Sequence, residues 1–178
     1  MRVLITEDQI KHRVQELGAL ISADYANRPL TVLGVLTGSI ILLADLIRAT
    51  TVPLRVALIS ASSYGGTRTT PGELHINSSL VPDLTDRHIL VLDDIFDTGR
   101  TMQGLLQTLQ GHSPASLRTA VLLWKSDRTE VSFAPDYFGF RIPDEFVVGY
   151  GLDYDDEYRQ LPFIGVLEEA DKRGQNPD

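Results

Sequence analysis

Three aspartates and a Thr-Gly-Arg-Thr run share one short stretch of the chain. Residues 88–102 read HILVLDDIFDTGRTM, so that Asp93, Asp94 and Asp97 follow an apolar run and residues 98–101 come directly after them. Carboxylates within a few ångströms of a bare phosphate repel it by several kcal/mol at protein-like dielectric. A ligand that fits this stretch must therefore carry another polar group besides a phosphate.

The two halves of the stretch suit two different chemical groups. Residues 97–101 lead into a predicted helix, where backbone N–H groups, two hydroxyls and a permissive glycine can surround one phosphate. Asp93 and Asp94 supply hydrogen-bond acceptors, which suit adjacent hydroxyl donors such as those of a ribose. The stretch therefore predicts a site for a phosphorylated ribose.

Other phosphate-binding and phosphate-cleaving motifs do not match this stretch. A Walker A loop needs glycine where the chain has Asp94 and lysine where it has Arg100. A phosphatase of the D-x-D type needs aspartate where the chain has Ile95. The glycine pattern of dinucleotide-binding folds is missing from the predicted strand-to-helix turns. These three classes of site are therefore excluded.

The first half of the chain predicts a helix followed by a βαβ unit. Thr6 and Gln9 have the spacing of a capping box before an apolar helical pattern, and Ser39 is a plausible N-cap of a second helix. The run LTVLGVL is almost wholly apolar, which is typical of a strand buried on both faces. The predicted elements are a helix over about 7–26, a strand over 30–36, a helix over about 40–49 and a strand over 54–61.

The second half continues this alternation and then changes character. Residues 62–72 are rich in Ser, Thr, Gly and Pro and predict a flexible hairpin loop. From Lys125 onward, prolines interrupt short strand-like pieces, which predicts a cap on the main sheet. The remaining predicted elements are strands over 73–80, 88–93 and 117–124, a helix over 101–110, and short strands over 146–150 and 163–167.

This order of elements predicts an α/β fold in one domain over 1–178. We expect a twisted, mainly parallel sheet flanked by helices, with its core over about 27–130. We expect a small hood from about 131–178 together with the N-terminal segment. Ligands of such sheets bind beyond the carboxyl ends of the strands, where the loop after Asp93 and Asp94 should lie.

Composition limits the partners and the compartment. The net charge of −8 and the pI near 4.9 argue against a nucleic-acid partner, which needs clustered Lys and Arg. The chain has no cysteine, so disulfides and thiolate zinc sites are excluded. No signal-peptide pattern and no apolar run of roughly 20 residues is found, so we expect a cytoplasmic protein with no membrane partner.

Several segments resemble a known family. VLDDIFDTGRT resembles the phosphoribosyl-pyrophosphate motif of type I phosphoribosyltransferases. LTGSIILLADL, SSYGGTRTTPGEL, LLWKSDR and IPDEFVVGYGLDYDDEYR resemble further segments of the hypoxanthine-guanine phosphoribosyltransferase family. The resemblance implies the type I phosphoribosyltransferase fold, and a reaction in which a purine nitrogen displaces pyrophosphate from phosphoribosyl pyrophosphate with Mg²⁺. It also implies a homodimer or homotetramer.

The resemblance further implies roles for the residues of the opening stretch. Asp93 and Asp94 would hold the ribose hydroxyls, and Asp97 would accept the N7 proton as N9 of the purine attacks. Loss of that ring proton makes the purine a better nucleophile, so the role is chemically reasonable for a carboxylate. The residues implied to bind the 5′-phosphate are Thr98, Gly99, Arg100 and Thr101.

Roles elsewhere in the chain rest on the same resemblance. Lys125 would donate to a 6-oxo group, and Phe146 and Ile95 would contact the two faces of the purine. Val147 would contribute its backbone to the purine site, and Asp153 would contact both the purine side and the magnesium ion. The residues implied to bind or to close over pyrophosphate are Thr37, Gly38 and Arg159, with Ser63 and Tyr64 in the lid loop.

The chain departs from the family at one turn. The family commonly has Lys-Gly where this chain has Thr37-Gly38, so a cation is lost while backbone contacts can remain. Family members often have an unusual cis peptide at this turn.

Two other functions are compatible with the same motifs. A regulatory protein on this fold could sense nucleotide or phosphoribosyl pyrophosphate, although a nucleic-acid-binding member should carry a basic face. A transferase could instead prefer xanthine, because Lys125 favours any 6-oxo purine over adenine. The sequence does not separate hypoxanthine, guanine and xanthine.

Overall fold

A computed structural model describes residues 1–64, 73–168 and 171. The helices are α1 (Glu7–Asp24), α2 (Ile40–Ala49) and α3 (Arg100–Gln110), with a short 3₁₀ turn at Ser126–Arg128. The strands are β1 (Arg2–Ile5), β2 (Leu30–Leu36), β3 (Leu54–Tyr64), β4 (Glu73–Asn77), β5 (His88–Phe96), β6 (Ser116–Trp124), β7 (Tyr137–Arg141), β8 (Val147–Val148) and β9 (Ile164–Val166).

The main sheet has six strands in the order β4-β3-β2-β5-β6-β7. Only the β3–β4 pair is antiparallel, so the mainly parallel α/β sheet is confirmed. The residues of β2 and of the first half of β5 are almost completely buried, which explains their unbroken apolar runs. One apolar cluster lies under α1 and α2 and another under α3.

A separate three-stranded sheet forms the hood. Its order is β1-β9-β8, with both pairs antiparallel, so the N-terminal segment and the C-terminal part do come together. β7 lies within residues 131–178, yet it pairs with β6 and forms an edge of the main sheet. A Cβ at Gly139 would overlap the Leu122 carbonyl, so glycine permits this close pairing.

The start of α1 has a side-chain capping hydrogen bond, and the start of α2 does not. Thr6 and Gln9 form the predicted capping box at α1. Ser39 precedes α2 but has helical backbone angles, and its hydroxyl donates to the Val35 carbonyl oxygen at 2.5 Å. Ser39 is therefore the N-cap residue of α2, as predicted, but its hydroxyl makes no capping hydrogen bond because it bonds back to the strand end.

The hairpin predicted around residues 62–72 begins as expected. β3 and β4 pair antiparallel as far as Tyr64 opposite Glu73. Residues 65–72, and the side chains of Ser63 and Tyr64, lie outside the described part of the chain, so their role in a lid stays a prediction. Within the described ranges, no helix has the length and apolar character that a membrane crossing requires.

Candidate active site

The predicted phosphate-binding run surrounds a small pocket at the carboxyl end of β5. The pocket has a volume of about 240 Å³, and its lining includes Asp93, Asp94, Asp97, Thr98, Gly99 and Thr101. Gly99 precedes α3 with φ of 84°, and a Cβ there would overlap Val131 and the Phe96 ring. Glycine is therefore required for the tight turn that points the first N–H groups of α3 towards the pocket.

The side chain of Arg100 forms an ion pair outside the predicted phosphate-binding turn. Its guanidinium forms an exposed ion pair with Glu130 at 2.5 Å. Its backbone N–H donates to the Thr98 hydroxyl at 3.4 Å, which closes the turn. The backbone of Arg100, more than its side chain, is thus placed at the helix start.

Asp93 and Asp94 form an adjacent pair of partly buried carboxyl groups. The Asp94 N–H donates to Asp93 Oδ1 at 2.9 Å. Burial raises the pKa of Asp93 well above its ordinary value, and the neighbouring charge of Asp94 adds to this shift. Burial also raises the pKa of Asp94, although the positive charge of Arg159 opposes the shift. Hydroxyl donors from a ligand would stabilise the ionised pair.

The raised pKa of Asp93 predicts a pH-dependent penalty on folding. The Asp93 carboxyl group makes its full contribution to stability below the pKa of about 3.9 that it has in the unfolded chain. This contribution is lost as pH rises through the raised pKa that the group has in the folded protein. We expect Asp93→Asn to be more stable than wild type at pH 8 by about 1–3 kcal/mol. The difference should shrink towards zero at pH 4, as measured by calorimetric melting at both pH values.

The matched control for this prediction is the exposed Asp86. Asp86→Asn removes the same charge from a residue whose φ of 58° asparagine tolerates. Its melting temperature should follow that of wild type at both pH values. An Asp93→Asn protein no more stable than wild type at pH 8 would show that burial does not penalise this carboxylate.

The turn after β2 packs directly against the carboxyl pair. A Cβ at Gly38 would overlap the Asp94 carboxylate, and a Cβ at Gly151, where φ is 104°, would overlap the Gly38 carbonyl. The turn contains a cis peptide bond, which joins Leu36 and Thr37. Gly38 is therefore held between two segments that both belong to the site.

Arg159 connects this turn to the acidic run of the hood. Its guanidinium donates to the Gly151 carbonyl oxygen at 2.7 Å and pairs with Asp153 Oδ1 at 2.9 Å. It also forms an ion pair with the exposed Asp156 at 3.2 Å. The structure thus brings Gly38, Asp94, Asp153 and Arg159 to one end of the sheet.

Asp97 lies in a cluster of alternating charges. Its Oδ1 accepts from Arg128 Nε at 2.6 Å, and its Oδ2 lies 3.7 Å from Lys125 Nζ. Asp144 binds the same two cations, with Lys125 Nζ at 3.3 Å and an Arg128 guanidinium nitrogen at 3.1 Å. Hydrogen bonds from Arg128 and Lys125 hold the pKa of Asp144 below its usual range.

Arg128 and Asp144 were missed as site residues in the sequence. They lie 31 and 47 positions after Asp97, and a lone exposed charge in either segment looks like ordinary surface. The available signal was that both fall in the segments LLWKSDR and IPDEF, which resemble the family. Lys125 is only 8% exposed, and its ammonium nitrogen lies within 3.7 Å of a carboxylate oxygen of both Asp97 and Asp144.

Phe146, the aromatic residue predicted for the purine site, comes shortly after Asp144 in the chain. Phe146 is 47% exposed, and its ring meets that of Tyr154 edge to face with centroids 5.7 Å apart. Val147 is buried and pairs with Val166 in the hood sheet. Ile95 is partly buried against the apolar cluster beneath α1 and α2. The contact between Asp144 and Lys125 brings the start of this hood segment to the end of β6.

Asp153 is the carboxylate predicted to contact a metal. Its Oδ1 pairs with Arg159, and its Oδ2 accepts the Asp156 N–H at 3.0 Å. In the described ranges, no group of three or more metal-ligating side chains comes together. Mg²⁺ commonly uses one or two carboxylates, substrate phosphates and several waters. A single carboxylate near a phosphate-binding turn fits an ion that arrives with its substrate.

Comparison with known proteins places the chain among the phosphoribosyltransferases. The family model for the phosphoribosyl transferase domain matches residues 5–155. The hypoxanthine-guanine phosphoribosyltransferase of Staphylococcus epidermidis is 40% identical over 166 residues, which is 93% of each chain.

Solved structures agree with this relationship. A crystal structure of a hypoxanthine phosphoribosyltransferase from Staphylococcus aureus has a TM-score of 0.89 at 39% identity, covering 94% of this chain and 91% of that one. A mutant hypoxanthine phosphoribosyltransferase from Trypanosoma cruzi, in a ternary substrates complex, has a TM-score of 0.88 at 38% identity, covering 96% and 97%. The chain therefore belongs to the phosphoribosyltransferase family and, within it, to the hypoxanthine-guanine phosphoribosyltransferases.

Proposed function

We propose that the protein transfers the phosphoribosyl group of phosphoribosyl pyrophosphate to hypoxanthine, and also to guanine, in purine salvage. The products are IMP or GMP and pyrophosphate. The observation that carries the proposal is the 3.7 Å approach of Asp97 Oδ2 to Lys125 Nζ. It sets a proton acceptor beside a donor, which complements the N7–H and the 6-oxo group of a purine.

Phosphoribosyl pyrophosphate is proposed to bind along the carboxyl ends of β2 and β5. The 5′-phosphate would lie in the pocket at the start of α3, and the ribose hydroxyls would donate to Asp93 and Asp94. Pyrophosphate would lie against the Thr37-Gly38 turn, close to Arg159. The described geometry supports this arrangement, because Gly38 and Asp94 pack together and Arg159 is near enough to influence the pKa of Asp94.

The purine is proposed to lie between Phe146 and Ile95, with Lys125 donating to its 6-oxo oxygen. Asp97 then takes the N7 proton while N9 attacks C1 of the ribose and the bond from C1 to pyrophosphate breaks. In the present structure Arg128 occupies Oδ1 of Asp97. The incoming N7–H is therefore expected to meet Oδ2, the oxygen that faces Lys125.

A magnesium ion is the proposed cofactor, with Asp153 as its protein contact. When bound with the substrate phosphates, Mg²⁺ would neutralise negative charge on the leaving pyrophosphate. The partly buried Asp153 is already oriented by Arg159 and by the Asp156 N–H. We also propose a homodimer or homotetramer that works in the cytoplasm, as the family resemblance implies, and light scattering tests the assembly.

The test of the reaction is a magnesium-dependent assay with phosphoribosyl pyrophosphate and each of hypoxanthine, guanine, xanthine and adenine. We expect nucleotide formation with hypoxanthine and guanine and none above background with adenine. Preferential conversion of xanthine would change the assigned base but keep the transferase. A folded protein that binds phosphoribosyl pyrophosphate and converts no base would instead be a regulatory member of the fold.

Lys125→Gln tests the proposed donor to the 6-oxo group. Loss of a charged hydrogen bond should lower kcat/KM for hypoxanthine by about 10- to 100-fold. Glutamine can also accept a hydrogen bond, so discrimination against adenine should narrow. Steady-state kinetics with both bases measure these effects.

Lys11→Gln is the matched control, because Lys11 is an exposed lysine that pairs with Glu7 on α1. It removes the same charge away from the site and should leave the kinetics with both bases unchanged. If Lys125→Gln kept the wild-type kcat/KM for hypoxanthine, another group would have to recognise the 6-position.

A further inference from the structure

A second pocket lies at the opposite end of the main sheet from the proposed active site. Its volume is about 610 Å³, and its lining includes Pro29, Leu54 and Arg87, which lie at or just before the starts of β2, β3 and β5. This volume is within the usual range of small-molecule sites, roughly 300–1,000 Å³. None of the proposed catalytic residues contributes to it.

The pocket is lined by three arginines and by no carboxylate. Arg28, Arg55 and Arg87 all contribute to its wall. The protein as a whole carries a net charge of −8, so a wall with only positive side-chain charge is unusual for this chain. The pocket therefore has a strongly positive character at one end of an acidic molecule.

None of these three arginines forms a close ion pair with a carboxylate among the described residues. Among the described arginines, only these three and Arg141 lack a carboxylate partner in an ion pair. Arg141 instead lies over the Trp124 ring, 4.5 Å from its centroid. Every described arginine without either kind of partner thus lines the same pocket.

Arg87 is fixed in place although it has no counter-ion. Its Nε donates to the Thr31 hydroxyl at 2.6 Å, and its terminal nitrogen donates to the Leu30 carbonyl oxygen at 2.6 Å. Burial lowers the pKa of Arg87, and the nearby positive charge of Arg55 lowers it further. The guanidinium groups of Arg87 and Arg55 are therefore close enough for their positive charges to repel each other.

We propose that this pocket binds a small anion that carries two or more phosphate groups. Guanidinium groups match phosphate oxygens with paired N–H donors, which a single point charge does not do. Three of them require more than one negative charge for neutralisation. Asn27, with Leu54 and Val52, gives the wall both polar and apolar surface, which leaves room for an organic group on the phosphate.

Equilibrium dialysis with radiolabelled inorganic pyrophosphate tests the site. The buffer contains EDTA and has fixed ionic strength. Wild type should show two classes of site, one of them the proposed active site. In the Arg28→Gln/Arg55→Gln double variant, one class should weaken by about tenfold for each arginine removed. Arg87 is left intact because its hydrogen bonds also support the ends of β2 and β5.

The matched control is Arg2→Gln/Arg48→Gln, which removes two exposed arginines that already pair with carboxylates. Both classes of site should persist in it. The proposal is overturned if the pocket variant binds like wild type, or if the control loses as much binding as the pocket variant. The two classes of pyrophosphate-binding site are counted separately. If pyrophosphate did not bind at the proposed active site, the effect of the pocket variant on the other class could therefore still be measured.

A second probe identifies the source of the phosphate groups. Uridine diphosphate carries two phosphates on a base unlike the purines of the proposed reaction. If it binds the pocket at least about tenfold more tightly than pyrophosphate, the pocket recognises a nucleotide. Equal binding, lost in the pocket variant, assigns an inorganic anion.

Discussion

Asp97→Asn is expected to lower the rate of IMP formation by about 10²- to 10⁴-fold, the usual contribution of a general base. Asparagine keeps the size of the side chain and one oxygen for Arg128, but its amide cannot take up the N7 proton. The effect should therefore fall on kcat, with a small change in the KM for phosphoribosyl pyrophosphate. Single-turnover measurement of nucleotide formation, beside steady-state kinetics, checks this expectation.

The control for this variant is Asp127→Asn. Asp127 is an exposed aspartate in the neighbouring 3₁₀ turn, and among the described residues its carboxylate accepts a hydrogen bond only from the Ser126 hydroxyl, at 3.4 Å. Its kinetics should match those of wild type, and both variants should melt within a few degrees of it. An Asp97→Asn rate within about threefold of wild type would require a different proton acceptor.

The environment of Asp97 explains why its neighbours could not be derived from sequence. Asp97 follows β5, Lys125 and Arg128 follow β6, and Asp144 follows β7. Parallel pairing of β5 with β6 and of β6 with β7 brings these three strand ends together. The sequence predicted the first two strands. It did not predict that β7 continues the same sheet, so nothing indicated that Asp144 would reach Lys125.

The main elements were predictable because their patterns are strong. β2 is an almost wholly apolar run, and the predicted bounds of 30–36 and 40–49 match β2 and α2. β5 extends to Phe96, three residues beyond the predicted end, because it stays paired with β6 through Asp93, Ile95 and Phe96. Charged residues normally indicate the end of a buried strand, so the two aspartates concealed this extension.

Sequence also could not show which arginines lack partners. Arg28, Arg55 and Arg87 are separated by more than twenty residues each, and none lies in a basic run. Their grouping arises because three parallel strands begin at the same end of the sheet. The same topology that gathers the proposed active site at the carboxyl ends therefore gathers the arginine pocket at the amino ends.

Gly38→Ala is expected to reduce kcat/KM for phosphoribosyl pyrophosphate by at least about 10²-fold, the cost of a displacement of about 1 Å in a reacting site. The added methyl group would overlap the Asp94 carboxylate, so either the turn or Asp94 must move. Overpacking should also lower the free energy of unfolding by about 1–3 kcal/mol. Steady-state kinetics and chemical denaturation measure the two effects.

Two comparisons isolate the contact between Gly38 and Asp94. Gly111→Ala is the control, because Gly111 has φ of −63° and its Cβ would meet only the Thr108 carbonyl, at 3.3 Å. It should change the free energy of unfolding by less than about 1 kcal/mol. Asp94→Ala removes the overlapping oxygens, so Gly38→Ala should cost less stability in that background than in wild type. Equal costs in both backgrounds would mean that the turn is limited by other neighbours, such as Gly151, and that Gly38 does not position Asp94.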